Sequence, residues 1–350
     1  MIVKKSTELL SEYLKNDNVA PLFIEGESLS LLRDIPDNSI NCVITSPPYW
    51  LQREYENGGI GQEETRELYI KGILEFCFEI KRILKRDGSF WLNLNDTYFK
   101  KSLSAIPWRI AISLIDEQGW LLRNNVIWNK MKGGMDSSSD RLSNVYENIF
   151  HFVKEPKYFY DVDAIRIVPR KAAVKNGVVK SATGITGVSY KRKIELSTSL
   201  TEIEKENAFK ALNEILEDVK KGYLADFRMV IRGQHRIIHS DKEKVSGRAR
   251  ELRDKGFYFL KYNPKGSKPI DVWDIAPEDA QKRTEHFAPY SEDVCIIPIL
   301  ATCPKNGVVL DPFVGTGTTS VVAYRLGRKS IGIDLSSAYL DIAKQRIQLI

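Results

Sequence analysis

Two short segments carry residue types that could do chemistry together. The first, Thr45-Ser-Pro-Pro-Tyr-Trp50, follows the apolar run INCVIT over residues 40–45. Consecutive prolines fix the backbone and remove two N–H donors, so that carbonyl oxygens can face a pocket as acceptors. The Ser46 hydroxyl and the Pro47 carbonyl, held by Pro48 beside the ring of Tyr49, make the rigid acceptor pair that an amino group on a planar base requires. The plain alternative is a proline-rich turn with an aromatic packed on it. The second segment, Asp311-Pro-Phe-Val-Gly-Thr-Gly-Thr-Thr319, lies between the apolar run GVVL (307–310) and a helical pattern beginning at Thr318. A strand, a glycine-rich turn and a helix N-terminus together form a nucleotide-binding corner. The loop contains no lysine, which disfavours an ATP phosphate loop, and Ser320 stands where a dinucleotide motif would want a third glycine. Asp334, at the end of the run SIGI, is placed either to accept from two ribose hydroxyls or to cap the helix that starts near Ser336. The glycine loop upstream favours the ribose role.

These segments need strands that deliver them to one edge, and the flanking sequence has the matching rhythm. PLFIE (21–25) and INCVIT read as buried parallel strands. Residues 66–86 carry apolar positions at helical spacing, with a stop expected at Asp87-Gly88. A strand at 89–94, a helix at 107–117 and strands at 124–128 and 148–153 follow, with a Gly/Ser-rich surface loop over 132–144. Residues 167–282 lose this alternation apart from a helix at 201–221, and it resumes from Ser291 to the end. The pattern predicts an α/β fold with a mostly parallel, doubly wound sheet. Three parts are expected: a catalytic half over 1–165, a basic inserted region over 166–283, and a cofactor half over 284–350.

The charge balance supports that division. The chain of 350 residues has a net charge of +6, but residues 166–283 hold 26 Lys and Arg against 16 Asp and Glu, leaving the remainder acidic overall. A local excess of this kind suits a polyanion, although a merely solvated face has the same composition. The candidate polyanion contacts are Arg228, Arg232, Arg236, Arg248 and Arg250 in the basic region, and Arg141 in the loop before it. No run of about 18 apolar residues is present and the N-terminus is too polar for a secretory signal, so a cytoplasmic, prokaryotic protein with no membrane association is expected. The four cysteines, Cys42, Cys77, Cys295 and Cys303, form no C-x-x-C pair and no metal site is expected.

S-P-P-Y and D-P-F-x-G-x-G-T-T resemble the catalytic and cofactor motifs of the amino-group (N4-cytosine and N6-adenine) DNA methyltransferases. Their order resembles the beta-class arrangement. FIEGES (23–28), WNK (128–130), RLSNVYENIF (141–150), DVW (271–273) and HFA (286–288) are similar to further blocks of that family. The resemblance implies S-adenosylmethionine as cofactor, bound by Asp311, Pro312, Phe313, Gly315, Thr316, Gly317, Thr318, Thr319 and Asp334, with Glu27 near the adenine. It also implies double-stranded DNA as substrate, with a restriction endonuclease as functional counterpart and a monomeric or homodimeric enzyme. Joining Ile350 to Met1 would place SIGI and its helix ahead of PLFIE, so the chain reads as a circularly permuted Rossmann-like methyltransferase fold with an inserted target-recognition region.

Carbon-5 methylation of cytosine needs a cysteine nucleophile, and the only Cys/Pro neighbours are Cys303-Pro304, in reversed order and far from Ser46. Direct transfer to an exocyclic nitrogen needs none. Within the family, Ser before Pro-Pro-Tyr goes mainly with cytosine, which makes N4-cytosine the expected target and N6-adenine the alternative. An RNA methyltransferase or an inactive DNA-binding scaffold are the competing classes, and both motifs being intact argues against decay.

Overall fold

The computed structural model describes residues 2–52, 59–131, 138–233, 247–277 and 291–350. Arg236 and the block at 286–288 lie outside these residues, as does part of the Gly/Ser-rich loop. The chain divides into two units, Met1–Ala164 with Ile270–Ile350, and Ile165–Pro269.

In chain order the first unit begins with α1 (Ile2–Lys15), β1 (Leu22–Glu25), α2 (Ser28–Asp34), β2 (Ile40–Thr45), α3 (Arg66–Ile83) and β3 (Leu84–Leu94). It continues with a small hairpin of β4 (Tyr98–Phe99) and β5 (Ser102–Leu103), then α4 (Ile106–Asp116), β6 (Leu121–Asn129) and β7 (Tyr146–Val153). The second unit contains β8 (Ala173–Lys175), β9 (Val178–Lys180), α5 (Gly187–Glu195), α6 (Glu202–Lys220), β10 (Asp226–Ile231), α7 (Gly247–Lys255) and β11 (Phe257–Tyr262). The chain then returns to the first unit through β12 (Val272–Asp274), α8 (Glu292–Thr302), β13 (Val308–Asp311), α9 (Thr318–Arg325), β14 (Lys329–Asp334) and α10 (Ser337–Gln348).

Eight strands make one sheet in the order β1-β14-β13-β2-β3-β7-β6-β12. Only the pairings of β7 with β3 and β6 are antiparallel. Side chains alternate along each strand, so a buried strand feeds two cores. Val43, Phe90, Leu92 and Leu310 face one way, into a core closed by apolar residues of α1–α4 such as Leu10, Leu32, Phe76 and Ile110. Cys42, Ile44, Trp91 and Val309 face the other way, against Val294 and Ile299 of α8 and Val322 of α9. The first strand of the chain pairs with the last, Leu22 with Ile331, as the permuted order requires.

Two expectations are corrected here. Helix α3 ends at Ile83 rather than at Asp87-Gly88, because Leu84 already has extended backbone (φ −66°, ψ 135°) and opens β3. Gly88 serves close approach instead: a Cβ there would lie 2.8 Å from Leu84 Cγ and 2.9 Å from the Asn41 carbonyl. The inserted region is also shorter than the span 166–283, since β12 pairs in parallel with β6, Trp273 opposite Trp128, and belongs to the main sheet.

The second unit has its own apolar core, with Tyr190, Leu212, Ile215, Phe227 and Phe257 at its centre. Its long helix α6 starts in a reciprocal capping box between Thr201 and Glu204. The antiparallel pair β10/β11 was not expected from the sequence. With Ile270–Arg283 excluded, the unit holds 24 Lys and Arg against 12 Asp and Glu.

Candidate active site

Four neighbouring parallel strands end at one edge of the sheet. Register fixes this: Glu25 lies opposite Asp334, Asp311 opposite Gly332, and Leu310 opposite Val43. Gly26-Glu27, Asp334, the loop 312–317 and Ser46-Pro47-Pro48-Tyr49 therefore leave the sheet at adjacent C-terminal ends, where ligands of open α/β sheets bind. Because β7 runs the other way, its start at Tyr146 and Glu147 comes to the same edge, with the end of β6 and Lys130 beside it. A cleft of about 400 Å³ opens at the opposite edge, near Lys85, Asn306 and Lys329, and neither motif contributes to it.

The glycine loop is tied to Asp334. The Gly315 amide donates to one carboxylate oxygen at 2.9 Å and the Ser336 amide to the other, also at 2.9 Å. Burial raises the Asp334 carboxyl above its ordinary value, and the amides of Ser336, Gly315 and Leu335 pull it back. The N-cap of α10 is Ser336, whose hydroxyl accepts from the Tyr339 amide, so the cap alternative for Asp334 does not hold. Gly317 has φ 84° as the N-cap of α9, and a Cβ on it would lie 2.7 Å from that of Ala343. Phe313 is half-buried and stacks on Phe76 at 4.8 Å.

Several residues expected to touch the cofactor are engaged within the protein. Both oxygens of the buried Asp311 carboxylate accept internally, from the Thr45 hydroxyl at 2.8 Å and the Phe313 amide on one side, and from the Thr319 hydroxyl at 2.6 Å on the other. Arg346 donates to the Thr316 carbonyl and the Thr318 hydroxyl, and pairs with Glu292. Thr316, Thr318 and Thr319 are buried, and Pro312 accepts from the Ser28 hydroxyl through its carbonyl. The Glu27 carboxylate caps α2, accepting from the Leu29 and Ser30 amides. These contacts fix the shape of the loop; Asp334 is likewise tied to it through the Gly315 amide, and the Phe313 ring packs on Phe76. An acidic acceptor, backbone amides and an aromatic side chain at one strand edge fit a nucleoside-bearing cofactor.

At the next strand end, Ser46 Oγ and Tyr49 OH are 2.8 Å apart, and Tyr49 donates to Glu147 Oε2 at 2.8 Å. Asn93 Nδ2 reaches the same carboxylate oxygen at 2.7 Å, Tyr49 OH at 3.0 Å and Ser46 Oγ at 3.2 Å. Lys130 forms an ion pair with Glu147 Oε1. Burial, and then the neighbouring Glu147, push the Tyr49 phenol well above its ordinary value, so it stays neutral. The Pro48 carbonyl accepts from the Tyr69 hydroxyl at 2.9 Å, whereas among the described residues no donor reaches the Pro47 carbonyl. Asn93, Lys130 and Glu147 were not singled out from the sequence. The available signal was a polar residue inside an otherwise apolar buried strand, as in FWLNL and YENIF.

Burial raises the Cys303 thiol well above its ordinary value, and Cys303 precedes β13, at the edge opposite Ser46. Among the described residues no cluster of His, Cys, Asp and Glu could hold a metal ion. Arg228, Arg248 and Arg250 are exposed in the second unit. Arg232 differs: its guanidinium pairs with Glu204 at 2.8 Å and donates to the Ser199 and Arg253 carbonyls, which commits it to the packing of that unit. Arg141 lies over the Tyr98 ring at 3.8 Å in the first unit.

A permuted, mostly parallel α/β sheet with an acidic strand end, a glycine loop and a Ser-Pro-Pro-Tyr corner at one edge defines a nucleotide-cofactor group-transfer enzyme. A family model with the description DNA methylase, covering N6 and N4 enzymes, matches residues 40–345. The chain is 28% identical to the type II methyltransferase M.SfiI of Streptomyces fimbriatus, over 90% of this chain and 88% of the relative. It is 27% identical to M.Cfr9I of Citrobacter freundii, over 95% and 88%. Among solved structures, the cytosine-N4-specific PvuII DNA methyltransferase superposes with a TM-score of 0.56 at 18% identity, covering 93% of this chain and 86% of that one. The protein belongs to the N6/N4 DNA methylase family. It is an amino-group DNA methyltransferase whose methyl donor is S-adenosylmethionine.

Proposed function

We propose that the protein transfers the methyl group of S-adenosylmethionine to the N4 amino nitrogen of cytosine at a specific site in duplex DNA. The observation that carries this reading is the position of Ser46 and Pro47 at the end of β2, on the strand that neighbours β13 and its glycine loop. An exocyclic amino group presents two hydrogens, and these two acceptors hold both while the nitrogen lone pair turns toward the methyl group; as the nitrogen–carbon bond forms the carbon–sulfur bond breaks, and one of the two held hydrogens then leaves as a proton to solvent. When bound, the cofactor supplies an electrophilic methyl carbon on sulfur. Asp334 accepts from the ribose hydroxyls, the loop glycines allow close backbone approach, and Phe313 packs against the bound molecule.

A base inside a duplex cannot reach such a recess, so it leaves the stack, with the half-buried ring of Tyr49 as its support. Serine before Pro-Pro-Tyr favours cytosine over adenine. The basic unit Ile165–Pro269, with Arg228, Arg248 and Arg250 exposed, reads the target site; Arg141 is a separate candidate DNA contact. The type II relatives support a role in restriction-modification, protecting host DNA from a matching endonuclease.

Labelled cofactor offered with duplex DNA, single-stranded DNA and RNA of the same composition tests the substrate class. Label on the duplex alone is the expected result. Label on RNA and none on duplex DNA contradicts the proposal.

A further inference from the structure

The polar cluster behind Ser46 can be counted donor by donor. Asn93 Nδ2 and the Lys130 ammonium only donate, an ionised carboxylate only accepts, and each hydroxyl has a single proton. Glu147 is 4% exposed and surrounded by donors: Lys130 on Oε1, and Asn93 and Tyr49 on Oε2. Tyr49 spends its only proton on Glu147, so across the 2.8 Å separation from Ser46 its oxygen can only accept. The Ser46 proton is thereby drawn toward Tyr49, and the Asn93 amide, whose two hydrogens are shared among Glu147, Tyr49 and Ser46, lies on the same side at 3.2 Å. What Ser46 presents elsewhere is lone pair.

We infer that Glu147 sets the direction of the hydrogen-bond chain Ser46 → Tyr49 → Glu147 and so makes Ser46 an obligate acceptor toward the amino group being methylated. The inference rests on the proposed role of Ser46. Glu147 acts through Tyr49 and is a positioning residue. A neutral amide at 147 could itself donate to Tyr49; the chain would then run backwards, and the Ser46 proton would meet an amino hydrogen, donor against donor. Burial and the neighbouring carboxylate keep the Tyr49 proton in place, which suits a relay of fixed polarity. Among the described residues, the charged and titratable groups bonded to Glu147 are Lys130, from the end of β6, and Tyr49, from the loop after β2.

The test is single-turnover methyl transfer to unmethylated genomic DNA, at saturating labelled S-adenosylmethionine. It compares wild type, Glu147→Gln, Tyr49→Phe and the double variant, with cofactor dissociation constants measured alongside. Glu147→Gln should slow transfer at least tenfold with cofactor affinity changed less than twofold. Tyr49→Phe, which keeps the ring, should also lose at least tenfold, and the double variant should be no slower than the slower single variant. A Glu147→Gln or Tyr49→Phe rate equal to wild type overturns the inference, as do losses that multiply in the double variant. Loss of cofactor binding in Glu147→Gln assigns Glu147 a structural role instead. A wild-type protein that binds the cofactor and methylates no DNA overturns the proposed function, and this inference with it.

Discussion

Thr45 donates its hydroxyl to Asp311 at 2.8 Å, joining the last residue of β2 to the last residue of β13. Both side chains are 1% exposed. One hydrogen bond therefore couples the Ser-Pro-Pro-Tyr corner to the glycine loop. Asp311 passes the link onward through Thr319 at the start of α9.

Thr45→Val is nearly isosteric and removes only this donor. A buried hydrogen bond to a charged group contributes about 1.5–3 kcal/mol, and the Phe313 amide remains on the same oxygen. Urea unfolding should show a stability loss of about 2 kcal/mol, accompanied by a several-fold slower transfer step. A variant with wild-type stability would show the link to be idle.

Asp334→Ala should raise the cofactor dissociation constant at least tenfold, read by calorimetry, with the methylated base unchanged. Its raised carboxyl value also makes a pH prediction. A carboxyl whose folded value lies above its unfolded value contributes stability that is fully present below the unfolded value and is lost as pH rises through the folded one. The stability difference between wild type and Asp334→Ala should be most favourable to wild type below the ordinary aspartate value of 3.8, and should decline above it. An increase with pH would contradict burial as the dominant influence.

Arg346 reaches from α10 to the Thr316 carbonyl at 2.9 Å and the Thr318 hydroxyl at 3.1 Å. Arg346→Met keeps the aliphatic stem and frees the loop. Cofactor affinity should fall several-fold while the DNA dissociation constant stays within a factor of two, both measured by fluorescence titration.

The arginines of the second unit should separate into two kinds. Arg228→Gln, Arg248→Gln and Arg250→Gln should each weaken DNA binding and lower the slope of log affinity against log salt by about 1 for each phosphate no longer neutralised. Arg232→Gln should instead destabilise the fold by about 1–3 kcal/mol, because the ion pair with Glu204 and the bonds to the Ser199 and Arg253 carbonyls would be lost. Equal salt slopes in all four variants would remove the DNA role from the first three.

The strand ends were legible because parallel buried strands read as continuous apolar runs and the motifs follow them directly: INCVIT leads into Ser46, GVVL into Asp311 and SIGI into Asp334. What lies across the sheet was not. Glu147 meets Tyr49 only because β7 is antiparallel and begins where β2 and β3 end, a register that no local pattern encodes. Asp87-Gly88 has the composition of a helix stop, yet Gly88 is there for the Leu84 side chain and the Asn41 carbonyl. In the second unit, β10 and β11 are short and carry Arg228 and Lys261 among their apolar residues, which blurs the strand period. The loop threonines share the motif with the glycines, and nothing in the motif itself points to the Asp311 and Arg346 side chains that they meet inside the protein.

The most direct test of the central claim is mass spectrometry of nucleosides from duplex DNA incubated with the protein and isotope-labelled S-adenosylmethionine. Labelled N4-methylcytosine is the predicted product. Labelled N6-methyladenine without N4-methylcytosine would contradict the assignment of cytosine to the Ser46 corner and leave the family and fold in place.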